Sequence, residues 1–174
     1  VADDSERLAA LRRLLLAHRP ESTLVFYNTK VDVDAVTNDL IAHGFASLPL
    51  HGDLERRARD QALVRFANRS VSVLVCTDVA ARGLDIDDLD LVINYQAARD
   101  RDVHSQRIGR MGRAGSSGRA CTLFETNEQH RIDRLPQHFS EAYVAVQRAV
   151  VKRALTKLAS EPLKWSQLQG SAAR

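Results

Sequence analysis

Five short apolar runs, Thr23–Tyr27, Phe45–Leu50, Val71–Cys76, Leu91–Tyr95 and Ala120–Phe124, recur along this chain, most of them separated by helix-length segments. The runs are continuously apolar rather than alternating, as in strands buried on both faces, and such strands belong to parallel sheets covered by helices. The intervening segments agree. Leu8, Leu11, Leu14 and Leu15 recur at helical spacing until Pro20. A second helix from about Val31 carries Val33, Val36, Leu40 and Ile41 and closes at Gly44. Leu54 to Phe66 reads as a third. The pattern predicts a three-layer α/β/α domain around a mainly parallel sheet of roughly five strands. Ligands of such sheets gather at the carboxyl ends of the strands. Asn28-Thr29, His51-Gly52-Asp53, Thr77-Asp78 and Asn94-Tyr95 stand there.

The length of 174 residues fits one compact domain, read as 1–135, with an extension over 136–174. A hydrophobic share of 44% against 27% charged excludes wholesale disorder. The net charge of +3 permits a polyanionic partner without demanding one. Cys76 and Cys121 each lie inside an apolar run and form no C-x-x-C pair, which suits buried thiols in a reducing compartment and no metal site. No apolar run reaches membrane-spanning length, so no membrane partner is expected. The N-terminus VADDSERLAA is polar and acidic, unlike a signal peptide, and a cytoplasmic location follows as the expectation. The chain opens on Val rather than Met, as a piece of something longer would.

The sharpest motif is QRIGRMGRAG, residues 106–115. Arg107, Arg110 and Arg113 recur every third residue with Gly109 and Gly112 between them. Guanidinium is a planar, permanently charged, five-donor group suited to phosphate oxygens, and glycine lets the backbone approach a ligand or a partner domain. On a helix, Arg107 and Arg110 would lie roughly 60° apart. Arg113 would swing away unless the helix ends near Gly112. The plain alternative is a solvated basic turn. A second motif, CTDVAARGLDI over 76–86, ends a strand in a hydroxyl and a carboxylate, then offers Gly83 for a tight turn and Asp85 as another carboxylate. Asp78 as an ordinary helix N-cap is the plain reading of that junction.

With LVFYNTK at 24–30 and LHGDLERRAR at 50–59, these motifs stand in an order that resembles the C-terminal RecA-like domain of DEAD-box RNA helicases. The resemblance covers about residues 5–135, and its wording is nearest the bacterial DbpA-type branch, whose members act on ribosomal RNA. It implies a RecA-like fold and a nucleotide held between two such domains. Arg110 and Arg113 would be the arginine fingers reaching the γ-phosphate, and Arg107 would support the interdomain network. Asp85 would contact the ribose, with Gln106 beside the interdomain contacts. Thr29, Arg59, Thr77 and Gly83 would face the RNA backbone, contacts that give little sequence readout. The implied partners are RNA, ribosomal by the same likeness, and an N-terminal RecA-like domain, with the chain otherwise monomeric.

Two positions depart from the family pattern. Gln106 stands where His is usual, and Arg56 where Gln is usual. No G-x-x-x-x-G-K-[ST] or D-E-A-D occurs in the 174 residues, so ATP with Mg²⁺ would be held mainly by the first domain and none by this chain alone. The chain alone is therefore expected to be inactive as an ATP hydrolase. In the extension, AYVAVQRAVVKRALTKL at 142–158 resembles the last strand and helix of the RNA-binding domain that ends DbpA-type proteins. The alternative is an amphipathic helix docked on the core, with Arg148, Lys152, Arg153 and Lys157 as a solvated face. Three functions stay open at this point: half of an ATP-dependent RNA helicase, a non-catalytic RNA-binding or regulatory module that kept the fold, and, suggested by Gln106 alone, a DNA helicase domain.

Overall fold

Residues 4–111, 118–135 and 141–145 are described by a computed structural model, and in them each of the five apolar runs contributes a strand. The strands are β1 (Thr23–Tyr27), β2 (Ser47–Leu50), β3 (Val73–Thr77), β4 (Leu91–Asn94), β5 (Arg119–Phe124) and β6 (Glu141–Ala145). They form a single sheet in the order β2-β3-β1-β4-β5-β6, and every pairing is parallel. The helices are α1 (Asp4–His18), α2 (Val31–Ala42), α3 (Arg56–Ala67), α4 (Asp78–Ala81), α5 (Arg101–Ile108) and α6 (Gln129–Ile132), with a 3₁₀ turn at Thr126–Glu128.

Successive strand residues point to opposite faces, and the core divides accordingly. Val25, Tyr27, Val75, Ile93 and Leu123 meet Leu11, Leu14 and Leu15 of α1 and Val33, Val36 and Leu40 of α2. Leu24, Phe26, Leu74, Cys76 and Val92 meet Ala62 and Phe66 of α3, Ala80 and Ala81 of α4, and Ile108 of α5. This is the RecA-like three-layer arrangement. Among the described residues no helix is long and apolar enough to cross a membrane.

Three differences from the sequence reading have local causes. β2 begins at Ser47 rather than Phe45, because the Phe45 and Gly44 amides donate to Leu40 and Ile41 and close α2. Gly44, at φ 85°, is the left-handed residue that ends that helix. α3 begins at Arg56 rather than Leu54, since the Leu54 amide donates to the His51 carbonyl and Glu55 is still extended. The sheet also continues past residue 135: β6, inside the segment read as the extension, pairs in register with β5. The helical part expected of 136–174 lies outside the described residues.

The two cysteines are buried and form no disulfide, Cys76 on the α3 side of the sheet and Cys121 on the α1 side. Burial pushes the Cys76 thiol up to about 12, against a smaller opposing pull from the Arg107 charge.

Candidate functional site

Order β3-β1-β4 brings three strand ends side by side, and one guanidinium fills the space between them. Arg107 sits in the last turn of α5, whose start is capped by the Asp100 carboxylate accepting from the Val103 amide. Its side chain is 1% exposed. Nε and Nη2 donate to the two Asp78 carboxylate oxygens at 2.6 and 2.8 Å, the bidentate geometry of strong charge-assisted pairs. Nη2 also donates to Asn28 Oδ1 at 2.8 Å. Nη1 donates to Asn94 Oδ1 at 3.2 Å and to the Gln96 carbonyl at 2.9 Å. The guanidinium lies 5.1 Å from the Phe26 ring centroid. All five of its N–H donors are thus engaged within the chain, and none is left for a phosphate. The expected interdomain residue ties the ends of β1, β3 and β4 together.

Arg110 behaves differently. α5 ends at Ile108, so Arg110 leaves the helix direction altogether. The turn that carries it out depends on Gly109, whose amide donates to Ser105 at 2.9 Å and where an added Cβ would stand 2.9 Å from that same carbonyl oxygen. The half-buried Arg110 side chain donates from Nη1 to the Leu84 and Ile86 carbonyls at 2.9 and 3.3 Å, and from Nη2 to the Ala81 carbonyl at 2.8 Å. Nε–H and one Nη2–H have no partner among the described residues. The two arginines therefore do not converge on one point. Arg113 lies outside the described residues.

The remaining candidates lie on the same edge of the sheet. Thr77, not Asp78, caps α4, its hydroxyl accepting from the Ala80 amide at 3.4 Å. Asp78 is the first helical residue, and its carboxylate is taken by Arg107. In a helix of four residues nearly every carbonyl lacks an intrahelical partner. Arg59 of α3 takes Ala80 at 2.9 Å and Arg110 takes Ala81. So α4 and its junctions collect Arg59, Thr77, Arg107 and Arg110. Gly83, exposed at φ 73°, follows at once in the loop. Asp85 is exposed beyond it, beside a cavity of about 560 Å³ walled by Leu63 and Phe66 on one side and Leu84 and Ile86 on the other.

Thr29 is exposed, and its hydroxyl donates to Asp32 at 2.8 Å. Next to it Lys30 pairs with Asp53 at 2.8 Å, and this contact holds the exposed Asp53 carboxyl below its ordinary range. Gln106 is exposed and Arg56 almost fully so, in a 3.9 Å contact with Asp60. No group of three or more His, Cys, Asp or Glu among the described residues could hold a metal ion. Asn28, Asp78 and Asn94, noted in the sequence only for their place at strand ends and given no ligand role, form the seat of Arg107. Their signal was positional: each stands at or just after the end of an apolar run.

The family model for the helicase conserved C-terminal domain matches residues 6–115. The chain belongs to this family. As a helicase C-terminal domain it is 54% identical over 127 residues to the ATP-dependent RNA helicase DbpA of Escherichia coli strain K12, which covers 73% of this chain and 28% of that protein. The chain thus spans under a third of that relative's length. Its fold is similar to that of the E. coli DEAD-box protein SrmB, solved bound to regulator of ribonuclease activity A, with TM-score 0.75 and 32% identity over 86% of this chain and 88% of that one. It is also similar to the C-terminal domain of the DEAD-box protein Dbp5, with TM-score 0.67 and 26% identity over 89% and 92%. The helicase C-terminal domain here is of the DEAD-box type, which is the resemblance its motifs carried.

Proposed function

We propose that this chain works as the second half of an ATP-dependent RNA helicase, supplying Arg110 and Arg113 to the phosphates of ATP and Thr29, Arg59, Thr77 and Gly83 to the RNA backbone. One observation carries the reading. α4 is gripped at adjacent carbonyls by Arg59, a candidate RNA contact, and by Arg110, a candidate phosphate contact, so the two sets of candidates share one four-residue element. The two donors left on Arg110 suit a two-point contact with phosphate oxygens. ATP with Mg²⁺ is the substrate, held mainly by the first RecA-like domain; bound there, it supplies the phosphoryl group whose transfer the fingers assist. The chain's own share is to bring guanidinium charge to that group, the kind of stabilisation worth roughly 10³–10⁵ in rate in phosphoryl transfer. Asp85, exposed at the mouth of its cavity, is available to a ribose hydroxyl. RNA of ribosomal origin is the proposed ligand, by likeness to DbpA.

The test is phosphate release by the chain alone, by the first RecA-like domain of E. coli DbpA alone, and by the two together with RNA. Neither piece should turn over ATP, and the mixture should do so only with RNA present. RNA binding by the chain alone should be weak and should fall steeply with salt. Turnover by the chain alone that survives Arg110→Ala would sink the reading. A mixture that binds RNA and stays inactive would favour a non-catalytic RNA-binding module.

A further inference from the structure

The loop 82–86 carries Gly83, proposed above as an RNA contact, yet its Leu84 and Ile86 carbonyls point inward to Arg110. Acceptors at Ala81, Leu84 and Ile86 converge on one guanidinium. Three carbonyls within six residues cannot converge so along an extended strand, where successive carbonyls alternate in direction. The chain reverses here because Gly83 takes φ 73°, in the left-handed region that other residues avoid. The residues on either side are anchored: Ala81 ends α4 and is buried, and Ile86 is 9% exposed in the core. An added Cβ at Gly83 would meet nothing within 4 Å, so backbone angle and not crowding is what requires glycine there.

We infer that Gly83 is a positioning residue for Arg110: its left-handed turn builds the three-carbonyl seat that fixes the guanidinium while leaving two N–H donors for the ligand. This assigns Gly83 a role separate from RNA contact, and it rests on the reading of Arg110 as a finger. A side chain whose orientation is set by fixed acceptors needs little reorganisation when phosphate arrives.

Open space at Gly83 makes a graded series informative. Asn tolerates the left-handed region, Ala does so poorly, and β-branched Val worst. The first readout uses this chain alone: the Arg110 Nη hydrogens in its NMR spectrum, which stay distinct while carbonyls restrain guanidinium rotation and merge when they do not. Gly83→Asn should keep them distinct and Gly83→Val should merge them, while the amide signals of β3 and β4 stay in place. Gly83→Ala serves the same comparison if the Val variant does not fold. The second readout adds the DbpA first domain. Gly83→Val should lower turnover at least tenfold even when ATP and RNA are both saturating, so that any weakening of its proposed RNA contact is removed from the readout.

Distinct Nη signals in Gly83→Val would overturn the inference whatever turnover does. So would a loss confined to RNA half-saturation, because Gly83 would then act on RNA alone. Merged signals together with normal turnover in Arg110→Ala support the seat and sink the finger reading, so the two fail separately.

Discussion

Arg107 and Arg110 are three residues apart in one motif, and they occupy opposite kinds of environment. Arg107 is 1% exposed and has every donor satisfied by side chains and a carbonyl at the ends of three strands. Arg110 is half-buried, rests on backbone carbonyls at the end of α4 and in the loop after it, and keeps two donors without a partner among the described residues. The difference follows from where α5 stops. Arg107 is still helical and is carried inward beside Ile108, whereas Arg110 lies beyond the Gly109 turn and faces the 81–86 loop. A repeated residue type thus serves two ends: one guanidinium holds the fold's edge together, and its neighbour is presented by it.

The comparison breaks most visibly in turnover. Arg110→Ala should lower the rate of the reconstituted two-domain enzyme by roughly 10³–10⁵, with a stability loss of no more than about 1–2 kcal/mol, since the freed carbonyls can be hydrated. Arg110→Lys should rescue little, because an ammonium cannot reproduce the planar fork. Turnover and thermal unfolding on the same preparations check this, and near-normal turnover would remove the distinction between the two arginines.

Next in size is the reverse signature at Arg107. Its truncation to Ala leaves the Asp78 carboxylate and the Asn28 and Asn94 amide oxygens without their donor in a mostly buried site. Breaking such a buried pair costs about 3–5 kcal/mol. Urea denaturation should show that loss as a lower midpoint, and a loss below about 1 kcal/mol would mean that water replaces the guanidinium. A smaller effect belongs to the element between them. Thr77→Val removes the cap of α4, and because the bond is long, at 3.4 Å, the cost should sit at the low end of the range for caps, about 0.5–1 kcal/mol. RNA affinity should fall in the same variant if the hydroxyl also serves RNA.

An effect of similar size separates both nodes from the far layer. Burial, helped by the nearby Arg119 charge, pulls His18 of α1 down to about 4. The unfolded chain then binds a proton between pH 6.5 and 4 that the folded chain does not. Stability that depends on neutral His18 is complete above pH 6.5 and is lost as pH falls toward 4. His18 is only half-buried, so the loss should be about 1 kcal/mol. His18→Gln should flatten that part of the stability profile and leave the behaviour of the Arg107 and Arg110 variants unchanged.

How much of this was legible in sequence varies with how local the cause is. β1 was readable to the residue, because TLVFY is a continuous apolar run between a Ser and an Asn. Phe45 misled because it is as apolar as a strand residue, yet its amide closes the preceding helix. β6 sits in an Ala- and Val-rich segment that reads equally as strand or helix, and only pairing with β5 decides it. For the site, the strand-end placement of the polar residues was visible. The burial of Arg107 was not: its partners lie 79, 29, 13 and 11 positions away, and only the strand order β3-β1-β4 brings them together. No periodicity marks an arginine as core.

The placement of the cysteines has a practical side. Cys76 and Cys121 lie on opposite faces of the sheet, both fully covered, and a thiol near 12 stays unreactive toward maleimide at neutral pH. A fluorophore can therefore be attached through one installed thiol without first removing the native ones. Val79, 74% exposed on α4, is a suitable place for it. One dye per Val79→Cys chain, paired with a second dye on the first domain, would turn domain closure into a distance read by energy transfer.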